Sequence, residues 1–289
     1  MKNKDKKIKT LFAVSLATLL FTVFRRIVLF TGLINTMVER GWALLSIQVA
    51  VTLIEFLFSG IAVFGFMPFL LNLGREDTNI KKYLKCDFKG TLLGITSFTA
   101  FSLLGIGIAT ALGIYRGDFS VVFARPDIQP EPDVVGWGYF ILALVPGIWE
   151  ELAFRGLIMT RLQNQFKTSR TIFLSAVFFA LFHLSNLDVQ HPSTVIGDII
   201  MAFLFGLAWG LMKTRTGSVV PAMISHYLVD SMGAVFLNVD AADSVRAMIF
   251  FLSLALAFTI VNILITKFLY PSPGTDIKNW DLSTEMKKR

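Results

Sequence analysis

Long apolar runs broken by short polar ones make up most of this chain. A hydrocarbon core of about 30 Å takes about 20 helical residues. Eight stretches reach or approach that length: roughly 10–34, 43–72, 91–114, 137–161, 171–187, 195–212, 218–237 and 247–267. The pattern predicts an all-α polytopic membrane bundle of about eight transmembrane helices. It forms a single integral membrane domain over 1–289, with a polar C-terminal tail at 271–289. The first run follows Lys2, Lys4, Lys6, Lys7 and Lys9, as a signal peptide would, but no small-residue cleavage site follows. An uncleaved first helix is predicted. The Arg25–Arg26 pair marks where it would bend or end early.

The loops orient the bundle. Cytoplasmic loops carry an excess of Lys and Arg. With the N-terminus inside, segments 1–9, 73–90, 162–170, 213–217 and 268–289 are cytoplasmic and hold 5, 5, 2, 2 and 4 basic residues. The opposite segments 35–42, 115–136, 188–194 and 238–246 hold 1, 2, 0 and 1. That bias predicts both termini in the cytoplasm. Proline-rich, acidic 115–136 becomes an external loop.

Composition excludes several classes. Only 16% of residues are charged and 54% are hydrophobic, at a mean hydropathy of +0.66. A soluble domain holds about a quarter charged residues, so a soluble enzyme and a disordered chain are both excluded. The single cysteine, Cys86, allows neither an internal disulfide nor a zinc ribbon. The net charge of +7 sits at the ends of apolar segments, so no nucleic-acid partner is predicted.

Ionisable groups inside spans are functional hypotheses by default. Here they are Glu55, Glu150, Glu151, Arg155, His183, Asp198, His226 and Asp230. Glu55 is read as structural, near a bend of its long span, and Asp198 as water-facing or helix-capping. Glu151 and Arg155 stand at i and i+4 and can pair. Glu150 points about 100° away and is left over. Phe179 precedes His183 by four residues, and His226 precedes Asp230 by four. Counted from the cytoplasmic ends, Glu150 lies 11 residues in, His183 12, His226 8 and Asp230 12. At about 1.5 Å per residue that is one layer roughly 12–18 Å deep.

A carboxylate and a neutral imidazole can hold a water and take its proton. A second imidazole with a polar neighbour can stabilise an oxyanion. Two His and two carboxylates can also bind zinc, although no HExxH is present. Ser185 and Ser225 lie near the histidines but outside any GxSxG, so serine catalysis ranks third. His191, beside Pro192 in a short external loop, reads as solvated.

Three motifs occur in order, each on a predicted span: Glu150-Glu151-Leu152-Ala153-Phe154-Arg155, Phe179-Ala180-Leu181-Phe182-His183 and His226-Tyr227-Leu228-Val229-Asp230. They resemble the EExxxR, FxxxH and HxxxN/D pattern of the CAAX protease and bacteriocin-processing family, also called the Abi or type II CAAX prenyl endopeptidase family. The resemblance covers about 137–238. It implies an eight-helix intramembrane endopeptidase in which Glu150 and His183 activate water. Glu151 and Arg155 would support the site, and His226 with residue 230 would form the oxyanion site. Eukaryotic members carry Asn in that last position. An ionised Asp cannot donate a hydrogen bond, so Asp230 carries a proton, orients His226 or ligates a metal.

Members are often described as metalloproteases. Glutamate-activated water without a cofactor is the expectation, and Zn²⁺ on Glu150, His183, His226 and Asp230 the alternative. Short loops, a 32.2 kDa chain and lysine-rich termini point to a bacterial plasma membrane. The expected partners are the bilayer and a small membrane-associated peptide or protein substrate, as in bacteriocin or pheromone maturation. The C-terminal Met286-Lys287-Lys288-Arg289 is not a CAAX sequence. The competing readings are a non-catalytic scaffold or self-immunity protein and a proton-coupled transporter.

Overall fold

The computed structural model of the chain describes residues 2–115, 138–188, 192–236 and 244–271. All regular structure among the described residues is helical. The main helices are α1 (Lys2–Arg25), α2 (Leu44–Ile61, continuing through a π turn at Ala62–Phe66 into Met67–Leu70) and α3 (Phe88–Ala111). Next comes the broken helix α4, made of Gly138–Leu142, π turns at Val145–Glu150 and Leu152–Ile158, and Met159–Gln163. Then follow α5 (Thr168–Phe182, ending in a 3-10 turn at His183–Asp188), α6 (Pro192–Thr216), α7 (Val220–Phe236) and α8 (Ser244–Leu269). Short helices at Ile27–Phe30, Leu33–Glu39 and Ile80–Leu84 lie in the connections.

Among the described residues, six helices are long and apolar enough to cross a membrane: Lys4–Arg25, Ser46–Leu70, Phe88–Ala111, Thr168–Leu187, Val195–Thr216 and Val245–Leu269. The other two, α4 and α7, fall short for physical reasons. Helix α4 carries Glu150, Glu151, Arg155 and Arg161 on a broken backbone. Helix α7 has 17 described residues, about 26 Å of rise.

Two spans differ from the sequence expectation. The first helix stops at Arg25 rather than near residue 34, because both arginines are used sideways. Arg25 pairs with Glu150 and Arg26 donates to Asn186. Gly32, at φ 66°, then turns the chain. The span expected at 137–161 is not one regular helix. Pro146 has no N–H to give its turn, and the backbone widens into successive π turns. The external loop expected at 115–136 falls almost wholly outside the described residues, as do His191 and most of the C-terminal tail.

Close helix approach holds the bundle. Lipid tails are as apolar as Leu, so association rests on tight packing of small residues rather than on burial from water. A Cβ on Gly94 of α3 would lie 2.8 Å from both Ile224 Cβ and the Pro221 carbonyl oxygen on α7. A Cβ on Gly206 of α6 would lie 3.0 Å from Ala176 Cβ on α5. Gly147 in α4 brings the backbone against Tyr227, where a Cβ would come within 2.7 Å. At the lysine-rich end, Tyr83 O accepts from Val219 N–H at 2.9 Å and from Ser218 Oγ at 3.0 Å. Asp87 caps α3 by accepting from Gly90 N–H at 2.7 Å. The Tyr270 hydroxyl and that N–H hold the Asp87 carboxyl below its ordinary range. Outward-facing side chains such as Leu53, Phe69 and Phe268 are exposed and apolar, as a lipid-facing surface requires.

Gly94→Leu is expected to lower the detergent melting temperature, at a cost of about 1–3 kcal/mol for overpacking. Gly107→Leu on the same helix, where a Cβ meets nothing within 4 Å, leaves it nearly unchanged. Thermal unfolding of the two variants side by side reads the difference.

Candidate active site

Glu150 ends the first π turn of α4, and Glu151 separates it from the second. Both carboxylates are buried, at 1% and 0% exposure, and so is Arg155 at 0%. Each carboxylate finds a different cation. Arg155 Nη1 lies 3.1 Å from Glu151 Oε1, close enough for charge attraction but not aligned as a hydrogen bond. Its guanidinium packs over the Phe179 ring, 4.1 Å from the centroid. Glu150 Oε1 pairs instead with Arg25, the last residue of α1. Glu150 Oε2 is buried without a protein partner.

His183 sits where α5 tightens into its 3-10 turn. Its backbone N–H bonds Ala180 O and Leu181 O. The imidazole Nδ1 lies 2.9 Å from Phe179 O, and a carbonyl only accepts, so Nδ1 carries the proton. In the neutral ring, Nε2 is then a bare acceptor.

His226 is held at both nitrogens. Nδ1 donates to Glu151 Oε1 at 2.9 Å, and Nε2 stands 3.5 Å from Asp230 Oδ2. Two carboxylates can only accept, so a doubly protonated ring satisfies both. Trp209 stacks on the same imidazole, with centroids 4.2 Å apart and planes at 23°. The indole is itself fixed: Nε1 donates to Ser225 Oγ at 3.0 Å, which bonds Ser97 Oγ at 2.7 Å. Phe179 presents its ring between the two histidines, at 4.9 Å from His183 and 6.0 Å from His226.

Glu150, Phe179, His183, His226 and Asp230 therefore line one cavity of about 270 Å³, with Arg25, Asn186, Asp198 and Trp209. Glu151 and Arg155 lie behind it. Asp230 keeps 36% of its side chain exposed, at the open part of the wall. Asp198 accepts from Asn186 Nδ2 at 3.4 Å. Glu55, half-buried on α2, is close enough to Arg25, Arg26 and Glu150 to feel their charges.

Both serines near the histidines are engaged in hydrogen bonds away from the cavity acceptors. Ser185 Oγ donates to Phe182 O at 2.9 Å, and Ser225 is engaged by Ser97 and Trp209. Among the described residues no three His, Cys, Asp or Glu side chains are arranged to hold a metal ion.

Arg25, Trp209 and Asn186 were not among the site residues expected from sequence, which marked Arg25 only as a bend or early end of the first helix. Arg25 had a signal: a basic pair interrupting an apolar run needs a buried carboxylate. Trp209 and Asn186 had none, since nothing local marks a residue that meets a histidine across helices.

Residues 132–232 match the family described as type II CAAX prenyl endopeptidase Rce1-like. No curated protein matches the chain. The matched stretch holds both glutamates, Arg155, both cavity histidines and Asp230, but not α1 with Arg25. With six membrane-length apolar helices among the described residues, the protein is an integral membrane protein, and its residues 132–232 are similar to the type II CAAX prenyl endopeptidase family.

Proposed function

We propose that this protein hydrolyses a peptide bond of a small membrane-associated peptide or protein, using water activated by Glu150 and His183. The carrying observation is a pair of unengaged acceptors on two side chains that line one cavity. Glu150 Oε2 is buried without a protein partner, and His183 Nε2 is bare because Nδ1 donates to Phe179 O. Arg25 occupies Oε1, so Oε2 is the oxygen left for a water.

In this reading the water gives its proton to Glu150 as its oxygen attacks the scissile carbonyl carbon. The carbonyl oxygen becomes an oxyanion facing His226 Nε2–H, which Asp230 and the stacked Trp209 keep in place. Collapse breaks the C–N bond, and Glu150 returns its proton to the leaving amine. Glu151 and Arg155 are positioning residues, since they hold His226 from behind. Asp230 orients and charges His226 and need not donate to the substrate. No metal is required for any of these steps.

The chain in this reading crosses the membrane eight times, with both termini in the cytoplasm, α4 and α7 supplying the two further crossings. Contacts gather the basic connections at one end of the bundle: Lys7 lies 5.9 Å from the Phe166 ring centroid, Lys213 lies 5.9 Å from the Tyr83 ring centroid, Arg215 donates to Tyr270 O, and the Tyr270 hydroxyl donates to Asp87. The protein belongs in a bacterial plasma membrane, where an exported peptide precursor is the natural kind of substrate.

Three measurements test this. In purified protein, Glu150→Gln and His183→Gln are each expected to lower peptide cleavage at least about 100-fold, as loss of a general base does. Full cleavage in either variant removes this mechanism. Arg25→Gln is expected to lower kcat with KM little changed, while Arg25→Lys restores part of the rate. Equal loss in both would leave Arg25 a merely structural residue. Cleavage is expected to persist in a strong chelator, and inhibition reversed by zinc would move the mechanism to a metal.

A further inference from the structure

The cavity is not centred along the helices that line it. Arg25 is the last residue of α1, and Asn186 lies in the turn that closes α5. Pro146 stands near the start of α4, and Asp198 and Met201 fall within the first ten residues of α6. Arg25 pairs with Glu150, Arg26 donates to Asn186, and Asn186 donates to Asp198, so these positions lie together at one end of the bundle. The basic stretches lie at the other end. Lys2 to Lys9 begin α1, residues 73–87 join α2 to α3, and Lys213 and Arg215 stand in the last turn of α6.

The wall toward that basic end is dry. Below the glutamates, Phe154, Ile158, Met159 and Leu162 of α4 and Met212 of α6 are all 0% exposed. A second cavity of about 160 Å³ near the basic end, lined by Tyr83, Leu152 and Leu157 among others, shares no residue with the first. The rim toward the other end is polar, formed by Arg25, Asn186 and Asp198, with Arg26 donating to Asn186. A hydrolase needs water at its carboxylate, and a polar rim conducts water where a packed apolar floor does not.

We infer that substrate and water reach this site from the membrane face opposite the lysine-rich ends, which with those ends in the cytoplasm is the extracytoplasmic face. The substrate class is therefore a peptide held in or near the outer leaflet, with its scissile bond presented from outside. This rests on the orientation proposed above, and the test reads orientation, access and cleavage separately.

The native chain carries its own reference, since its single cysteine, Cys86, lies partly exposed at the basic end. Met201→Cys is placed in a Cys86→Ser background. Intact spheroplasts and inverted vesicles from the same cells are treated with a small, permanently charged methanethiosulfonate. The expected result is modification of Met201→Cys in spheroplasts and its loss in inverted vesicles, with the reverse for Cys86 in the native chain. Modification of Met201→Cys only in inverted vesicles, or on neither face, overturns the access. Modification of Cys86 from outside overturns the orientation. Ala202→Cys, on the same wall, serves if Met201→Cys does not accumulate. Labelling repeated in Glu150→Gln needs no cleavage, so a failed protease reading leaves the access result standing.

Discussion

A carboxylate inside a bilayer must be matched by a cation or a donor from its surroundings, and Glu151 is where this protein meets that demand most fully. One of its oxygens faces Arg155 on its own helix at 3.1 Å and His226 on α7 at 2.9 Å. Removing any one of the three would leave the others with an uncompensated buried group, which costs several kcal/mol in a low-dielectric interior. The trio therefore couples α4 to α7. Phe179 extends the coupling to α5, because its ring lies under the Arg155 guanidinium and beside both histidines. Four polar side chains and one aromatic ring thus set the register of three helices.

The broken backbone of α4 follows from the same demand. Two adjacent carboxylates on a regular helix would point about 100° apart, and one would face lipid or a tight apolar contact. In the π-turn stretch around Pro146 and Gly147, both side chains are buried and each meets its own partner. Widened turns of this kind are frequent at functional sites. Gly147 also admits Tyr227, whose hydroxyl donates to Phe140 O at 3.1 Å and ties α7 to the start of α4. The local irregularity and the close packing of α7 are one feature.

Helix α1 has a part in the site that its plain hydropathy conceals. Its apolar face packs Phe21 against Phe154 and Phe182. Its last residue delivers the guanidinium that meets Glu150 and also lies 5.2 Å from the Phe182 ring centroid. The stretch that carries the family likeness lacks this residue, so the charge balance of the cavity depends on a helix beyond that stretch. Trp209 likewise depends on distant partners, since α3 contributes Ser97 and α7 contributes Ser225 to hold the indole against His226.

Hydropathy alone determined that the chain is helical and built of membrane-length segments, because the solvent imposes one length and one backbone solution on every crossing. Spacing along a helix determined that Glu151 could reach Arg155 and that His226 could reach Asp230, since those contacts are set within about one turn. Tertiary structure alone decided the partner of Glu150, for Arg25 lies 125 residues away in sequence. It also decided that α1 ends at that arginine, that α4 opens into π turns, and that an indole covers His226. Each of these arises where the needs of two or more helices meet, and a pattern read along one strand of sequence holds no record of which helix stands beside which.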